Sequence, residues 1–153
     1  TNLLRRKGFT ARLREQGYGD LIVEQGDYSY DSGYEAGLQL LDRDNPPDAI
    51  FCAADIMALG AMDAARYKLG IKIPDELSIV GYDNIAMAGW PAINLTTIRQ
   101  PISEMVDMAI QLLTPREDGI ITGQVILMPV EIVHRHSVRI VENIDANPNR
   151  GVP

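Results

Sequence analysis

The stretch "KIPDELSIVGYDN" (72–84) carries an apolar, strand-like run that stops at Asp83 and Asn84. A carboxylate accepts several hydrogen bonds and an amide both donates and accepts. Such groups at the end of a buried strand suit a polar ligand. Two other runs end in a similar way: "LIVEQGD" reaches Asp27 with Tyr28 behind it, and "AIFCAAD" reaches Asp55. Asp55 serves equally well as the cap of the helical pattern that follows it. Asp83 has no such alternative, because "NIAMAGWPAIN" after it is irregular, and it is the stronger binding candidate. His134 and His136 stand two apart on a strand-like run and face one side. No third histidine and no acidic cluster at ligand spacing accompanies them, so no metal is expected. Cys52 is the single cysteine, which excludes an internal disulfide and suits a small buried residue. No phosphate-binding glycine loop and no nucleophile elbow occurs, so neither an enzyme nor a cofactor is expected.

These residues must be positioned by alternating elements. Residues 3 to 16 suit a helix with Phe9 and Leu13 four apart and Gly17 as its stop. Residues 21–27 form an apolar, strand-like run. Ser32 and Glu35 form a capping box for a helix reaching about Leu41. After the break at "NPP" (45–47), the continuous apolar run 49–55 predicts a strand covered on both faces. A helix follows and Gly70 ends it. Strands are expected over 77–83 and, shorter and β-branched, over 95–100. Ile102, Met105, Val106, Ala109, Ile110 and Leu113 then fall on one face of a helix. Residues 124–140 are strand-like with Pro129 interrupting. From 142 the chain reads as a loose polar tail. The predicted fold class is α/β, a parallel sheet flanked by helices. In such sheets ligands bind beyond the carboxyl ends of the strands, which brings the three polar endings onto one rim.

"GDYSYDSGYEAGLQLL", "PDAIFCAADIMALGAMDAARYKLGIKIPDELSIVGYDN" and "LTTIRQPISEM" together resemble the effector-binding region of LacI/GalR-type bacterial transcription regulators. The resemblance runs from about Arg5 to about Val138. It implies a type I periplasmic-binding-protein-like fold, a small-molecule effector held between two lobes, a homodimer, and operator DNA bound through a separate helix-turn-helix head. It divides the chain into C-terminal lobe (1–98), a crossing segment that belongs to the other lobe (99–128), a return (129–142) and a tail (143–153). In the family a strand lies ahead of residues 1–4, in the middle of this lobe's sheet. Without it the lobe is expected to be incomplete, with unpaired backbone on two neighbours.

The resemblance also implies that Arg5, Tyr28, Asp83 and, near the cleft, Gln100 line the effector pocket. Ala54 stands where many sugar-responsive members carry asparagine, which moves the contact to Asp55 or leaves room for a bulkier ligand such as a nucleobase. Leu59, Met62, Met87, Trp90 and Pro91 fall in the segments that form the family's dimer contact. A cytoplasmic location follows from the same resemblance. The alternative is a periplasmic sugar-binding protein serving a transporter, with the same two-lobed cleft and no DNA head.

Charge constrains the partners. The net charge of -7 makes this chain a poor ligand for nucleic acid by itself, since phosphate neutralisation dominates such binding. Arg5, Arg6, Lys7, Arg12 and Arg14 cluster near the start and read mainly as a solvated helix face. No apolar run approaches the ~20 residues that a membrane helix needs.

Overall fold

The computed structural model describes residues 2–19, 21–114 and 125–140. Helix α1 (Asn2–Glu15) stops where Gly17 takes φ +80°. There the Tyr18 N–H donates to the Leu13 carbonyl at 3.0 Å and the Gly17 N–H to that of Arg14 at 3.0 Å, closing the last free carbonyls. Phe9 leaves the helix to stack on Phe51, with ring centroids 4.8 Å apart.

The strand expected over 21–27 does not form; these residues join no ladder. A strand exists through its neighbours, and an apolar run without one has nothing to satisfy its backbone. Helix α2 (Tyr30–Leu41) begins three residues earlier than the capping box predicts. Ser29 is the cap, its Oγ accepting from the Ser32 N–H at 3.0 Å. Ser32 instead returns its hydroxyl to the Ser29 carbonyl and accepts from the Asp27 N–H.

Helix α3 (Asp55–Asp63) is capped by Ala54, and the Asp55 carboxylate makes no cap bond. The chain runs on as a π-helical turn, Ala64–Lys68, before Gly70 turns left-handed at φ +71°. Helices α2 and α3 pack backbone to backbone: a Cβ on Gly33 would sit 2.2 Å from the Met57 carbonyl oxygen, and one on Gly60 would sit 2.1 Å from that of Tyr30.

The sheet has four strands in the order β1 (Ala49–Phe51), β2 (Ser78–Tyr82), β3 (Thr96–Arg99), β4 (Glu131–Val133). Strands β1, β2 and β3 are parallel, with Ile50 opposite Ile79 and Gly81 opposite Thr97. The expected parallel sheet forms from these three strands, and β4 adds to its far edge antiparallel to β3. Pro129 has no N–H for a ladder, and pairing starts only beyond it. Strand β1 is an edge, with no strand on its outer side among the described residues. Ile50, Leu77, Ile79, Leu95 and Met62 fill the core between sheet and helices.

Helix α4 (Ile102–Leu113) is amphipathic as its spacing predicts, yet none of its residues is buried. Ile102, Val106, Ile110 and Leu113 lie exposed on it. Of the expected crossing segment, 115–124 lie outside the described residues, as does the tail 143–153. No helix among the described residues is long and apolar enough to cross a membrane.

Candidate binding site

Parallel strands place their carboxyl ends on one rim, and three expected residues meet there. Asp83 follows β2 and Gln100 follows β3; the Gln100 amide donates to Asp83 Oδ1 at 2.8 Å. Arg5 reaches in from α1, its Nη2 4.0 Å from the same oxygen. Its guanidinium carbon lies over the Tyr82 ring, 3.7 Å from the centroid, and Nη1 donates to the Ala53 carbonyl at 2.8 Å. Partial burial pushes the Asp83 carboxyl above the usual aspartate value. The Arg5 charge opposes this rise, the Asp55 charge adds to it, and the Gln100 donor opposes it. A planar donor fork beside a carboxylate, over an aromatic face, can hold a ligand that offers acceptors and donors side by side. Next to Tyr82 and Gln100 opens a cavity of about 350 Å³ walled by Pro101, Met105, Met108 and Met128.

The turn that carries Asp83 is strained. Asp83 has φ +114° and Asn84 φ +55°. Side chains far along the sequence fix it. Arg135 donates to Asn84 Oδ1 at 2.8 Å and to the Leu95 carbonyl at 2.7 Å. The Asp83 N–H donates to the Ile98 carbonyl at 2.9 Å.

Asp55 does not reach the rim. It is fully buried, and both oxygens are engaged: Oδ2 accepts from the Ile85 N–H at 2.8 Å and Oδ1 from the Thr97 hydroxyl at 2.5 Å. Direct contact with a ligand is therefore corrected, as is its role as a helix cap. Tyr28 has φ +69° and is exposed. Among the described residues no hydrogen bond or ring contact ties it to Asp83. Asp27 before it accepts from both the N–H and the hydroxyl of Ser29, and the hydroxyls of Ser29 and Ser32 hold its carboxyl below the usual range.

Away from the rim, Leu59, Met62 and Met87 line a second cavity of about 250 Å³ whose edge carries Tyr30 and Asp63. The Tyr30 hydroxyl donates to Asp63 Oδ2 at 2.8 Å, and that bond pushes the phenol up to about 12. Met62 and Leu59 are only 1% and 7% exposed, so both belong to the core and offer a partner little or no surface. Trp90 is 55% exposed, and Pro91 beside it is exposed too. His134 and His136 are exposed on either side of Arg135, and among the described residues no group of three His, Cys, Asp or Glu gathers. Cys52 is buried, which pushes its thiol up to about 12.

Sequence reasoning missed Tyr82, Arg135 and Thr97. The aromatic in "VGYDN" was visible, but its partner Arg5 lies far upstream.

Comparison with known proteins agrees with this architecture. Residues 1–138 match the periplasmic binding protein-like domain family. The transcriptional repressor PurR of Serratia proteamaculans is 38% identical over 140 residues, covering 88% of this chain and 40% of that protein. The repressor CytR of Escherichia coli K12 is 38% identical, with coverage of 88% and 40%. The chain thus spans about two fifths of the length of the curated relatives it matches. A solved complex of the regulator CelR with cellobiose superposes with a TM-score of 0.77 at 33% identity, covering 87% of this chain and 41% of that one. The chain belongs to the periplasmic binding protein-like family, and the relatives it matches over part of their length are transcriptional repressors.

Proposed function

We propose that the chain is the effector-sensing part of a LacI-type transcriptional regulator, with Arg5, Asp83 and Gln100 contacting a small sugar or nucleobase-like metabolite. The carrying observation is the convergence of Arg5 and Gln100 on one Asp83 oxygen at the carboxyl rim of the sheet. The family resemblance adds Tyr28 to the same pocket. Residues 99–128 cross to a second lobe, so that effector bridges both lobes and biases their closure. A ligand shifts that balance only through its different affinity for the two closures, which requires contacts on both sides. Operator DNA, bound in the cytoplasm by a helix-turn-helix head, reports the shift. Operators are two-fold sites, so the regulator acts as a homodimer, and Trp90, Pro91 and Met87 supply its contact. A transporter's periplasmic binding protein shares the cleft, but the two curated relatives described above are repressors, which favours the regulator.

The test is a thermal-shift screen of nucleosides, nucleobases, monosaccharides and disaccharides, followed by calorimetry on the hit. A charge-assisted hydrogen bond is worth roughly 1.5 to 3 kcal/mol. Asp83→Ala is therefore expected to weaken the hit by about ten- to a hundred-fold or slightly more. Unchanged affinity in a folded Asp83→Ala protein removes Asp83 from the site.

A further inference from the structure

One buried carboxylate joins three parts of the fold without reaching the ligand rim. Asp55 opens α3, yet it turns away from that helix's own free N–H groups. Its Oδ1 takes the Thr97 hydroxyl from the middle of β3, and its Oδ2 takes the N–H of Ile85, two residues beyond Asp83. Gly81 makes the space: a Cβ there would lie 2.1 Å from Oδ1. Just before the Ile85 anchor the chain passes through Asp83 and Asn84, both at positive φ. Non-glycine residues hold such angles only where their surroundings fix them. Arg135 fixes the Asn84 side chain and Asp55 fixes the backbone just after it.

We propose that Asp55 is a positioning residue for the binding rim: it holds Ile85 and Thr97 together and so sets the turn that presents Asp83, without contacting effector. This rests on Asp83 being the contact residue. Among the described residues the charged groups that face Asp83 are Arg5 from α1 and Asp55 from α3, with Arg135 on the adjoining Asn84. The Cys52 thiol at the end of β1 also feels the Asp55 charge. Asp55 therefore has an electrostatic reach as well as a geometric one. Its negative charge disfavours ionisation of Asp83, and loss of that charge lowers the Asp83 midpoint.

The experiment uses the full chain without effector, so it does not depend on the ligand's identity. Amide hydrogen exchange is followed at Ile85 and, as a reference for global opening, at Ile79, whose N–H is bonded within the fold. In Asp55→Ala the protection of Ile85 relative to Ile79 is expected to fall at least about tenfold, the loss of one good hydrogen bond. Thr97→Ser, which keeps the hydroxyl, is expected to leave that ratio unchanged. Asp55→Asn keeps the shape and one acceptor oxygen; in it the Asp83 carboxyl, followed by carbon-13 titration, is expected to titrate at lower pH than in the parent. An Ile85 to Ile79 ratio unmoved in Asp55→Ala overturns the proposal. Should that variant not fold, the same ratio is read in Asp55→Ser, whose shorter side chain cannot span both partners, and a ratio unmoved there overturns the proposal instead. A destabilised fold with a merely structural Asp55 moves both amides together and leaves the ratio alone. The calorimetry on Asp83→Ala judges the rim separately, so the two ideas fail by different results.

Discussion

Arg5 is held from three sides: by the face of Tyr82, the carbonyl of Ala53 and the charge of Asp83. Lysine keeps the charge but has no flat fork to stack or to share. A stacked cation contributes roughly 0.5 to 2 kcal/mol, so Arg5→Lys is expected to weaken the screened hit by about 3- to 30-fold in calorimetry. The sign of the pH effect at Asp83 follows from its raised folded-state value. Folding favours its protonated form, so its own contribution to stability is greatest in acid and declines as pH rises through the folded midpoint. Ligand binding runs the other way, because the carboxylate is the acceptor. Affinity is expected to hold near neutrality and to fall as pH drops through a midpoint above the ordinary 3.8. Calorimetry across pH 4 to 7 checks this, and Asp83→Asn removes that step. At this scale the sequence exposed Asp83, since a polar pair closing an apolar run stands out locally. Thr97 and Arg135 were hidden, because their partners lie 42 and 51 residues away and no spacing rule connects them.

Helices were legible: α1 and α4 appear where apolar spacing placed them, α2 and α3 lie close to the cap and stop residues that announced them, and Gly17 and Gly70 both mark ends. Strands were less so. The apolar runs at 49–55 and 77–83 became β1 and β2 because each has a neighbour, whereas 21–27, which also opens on an apolar stretch, joins none. A run of side chains states that a segment wants burial; only the sheet states whether a ladder is available. The π-helical turn after α3 also left no trace in the periodicity. Where α2 meets α3, Gly33→Ala puts a methyl group against backbone that cannot rotate away. Overpacking of this kind costs about 1 to 3 kcal/mol or more, so the midpoint of thermal unfolding by circular dichroism is expected to fall by roughly 3 to 10 °C. Gly8→Ala is the contrast. Nothing lies within 4 Å of its Cβ position in the interior of α1. Alanine there is expected to stabilise by about 0.5 to 1 kcal/mol, because it costs less backbone entropy than glycine.

For the molecule as a whole, the apolar groups left outside matter most. The exposed side chains of α4 and the exposed Trp90 lie on a chain whose net charge is -7. Charge of one sign keeps copies apart in dilute salt, so any association through Trp90 must overcome it. Trp90→Ala is expected to shift the protein from dimer to monomer in sedimentation equilibrium at moderate salt; an unchanged mass distribution rules Trp90 out as an anchor. The close seam between α2 and α3 has a consequence of a different kind. Glycine is the one residue without a Cβ, so no missense change at Gly33 or Gly60, whichever base is altered, leaves the seam as it is. In a library of random point mutants these codons should tolerate only silent changes, while Gly8 drifts freely. Heritable variation in this chain is thus channelled to its outer helix and away from the joint behind its rim.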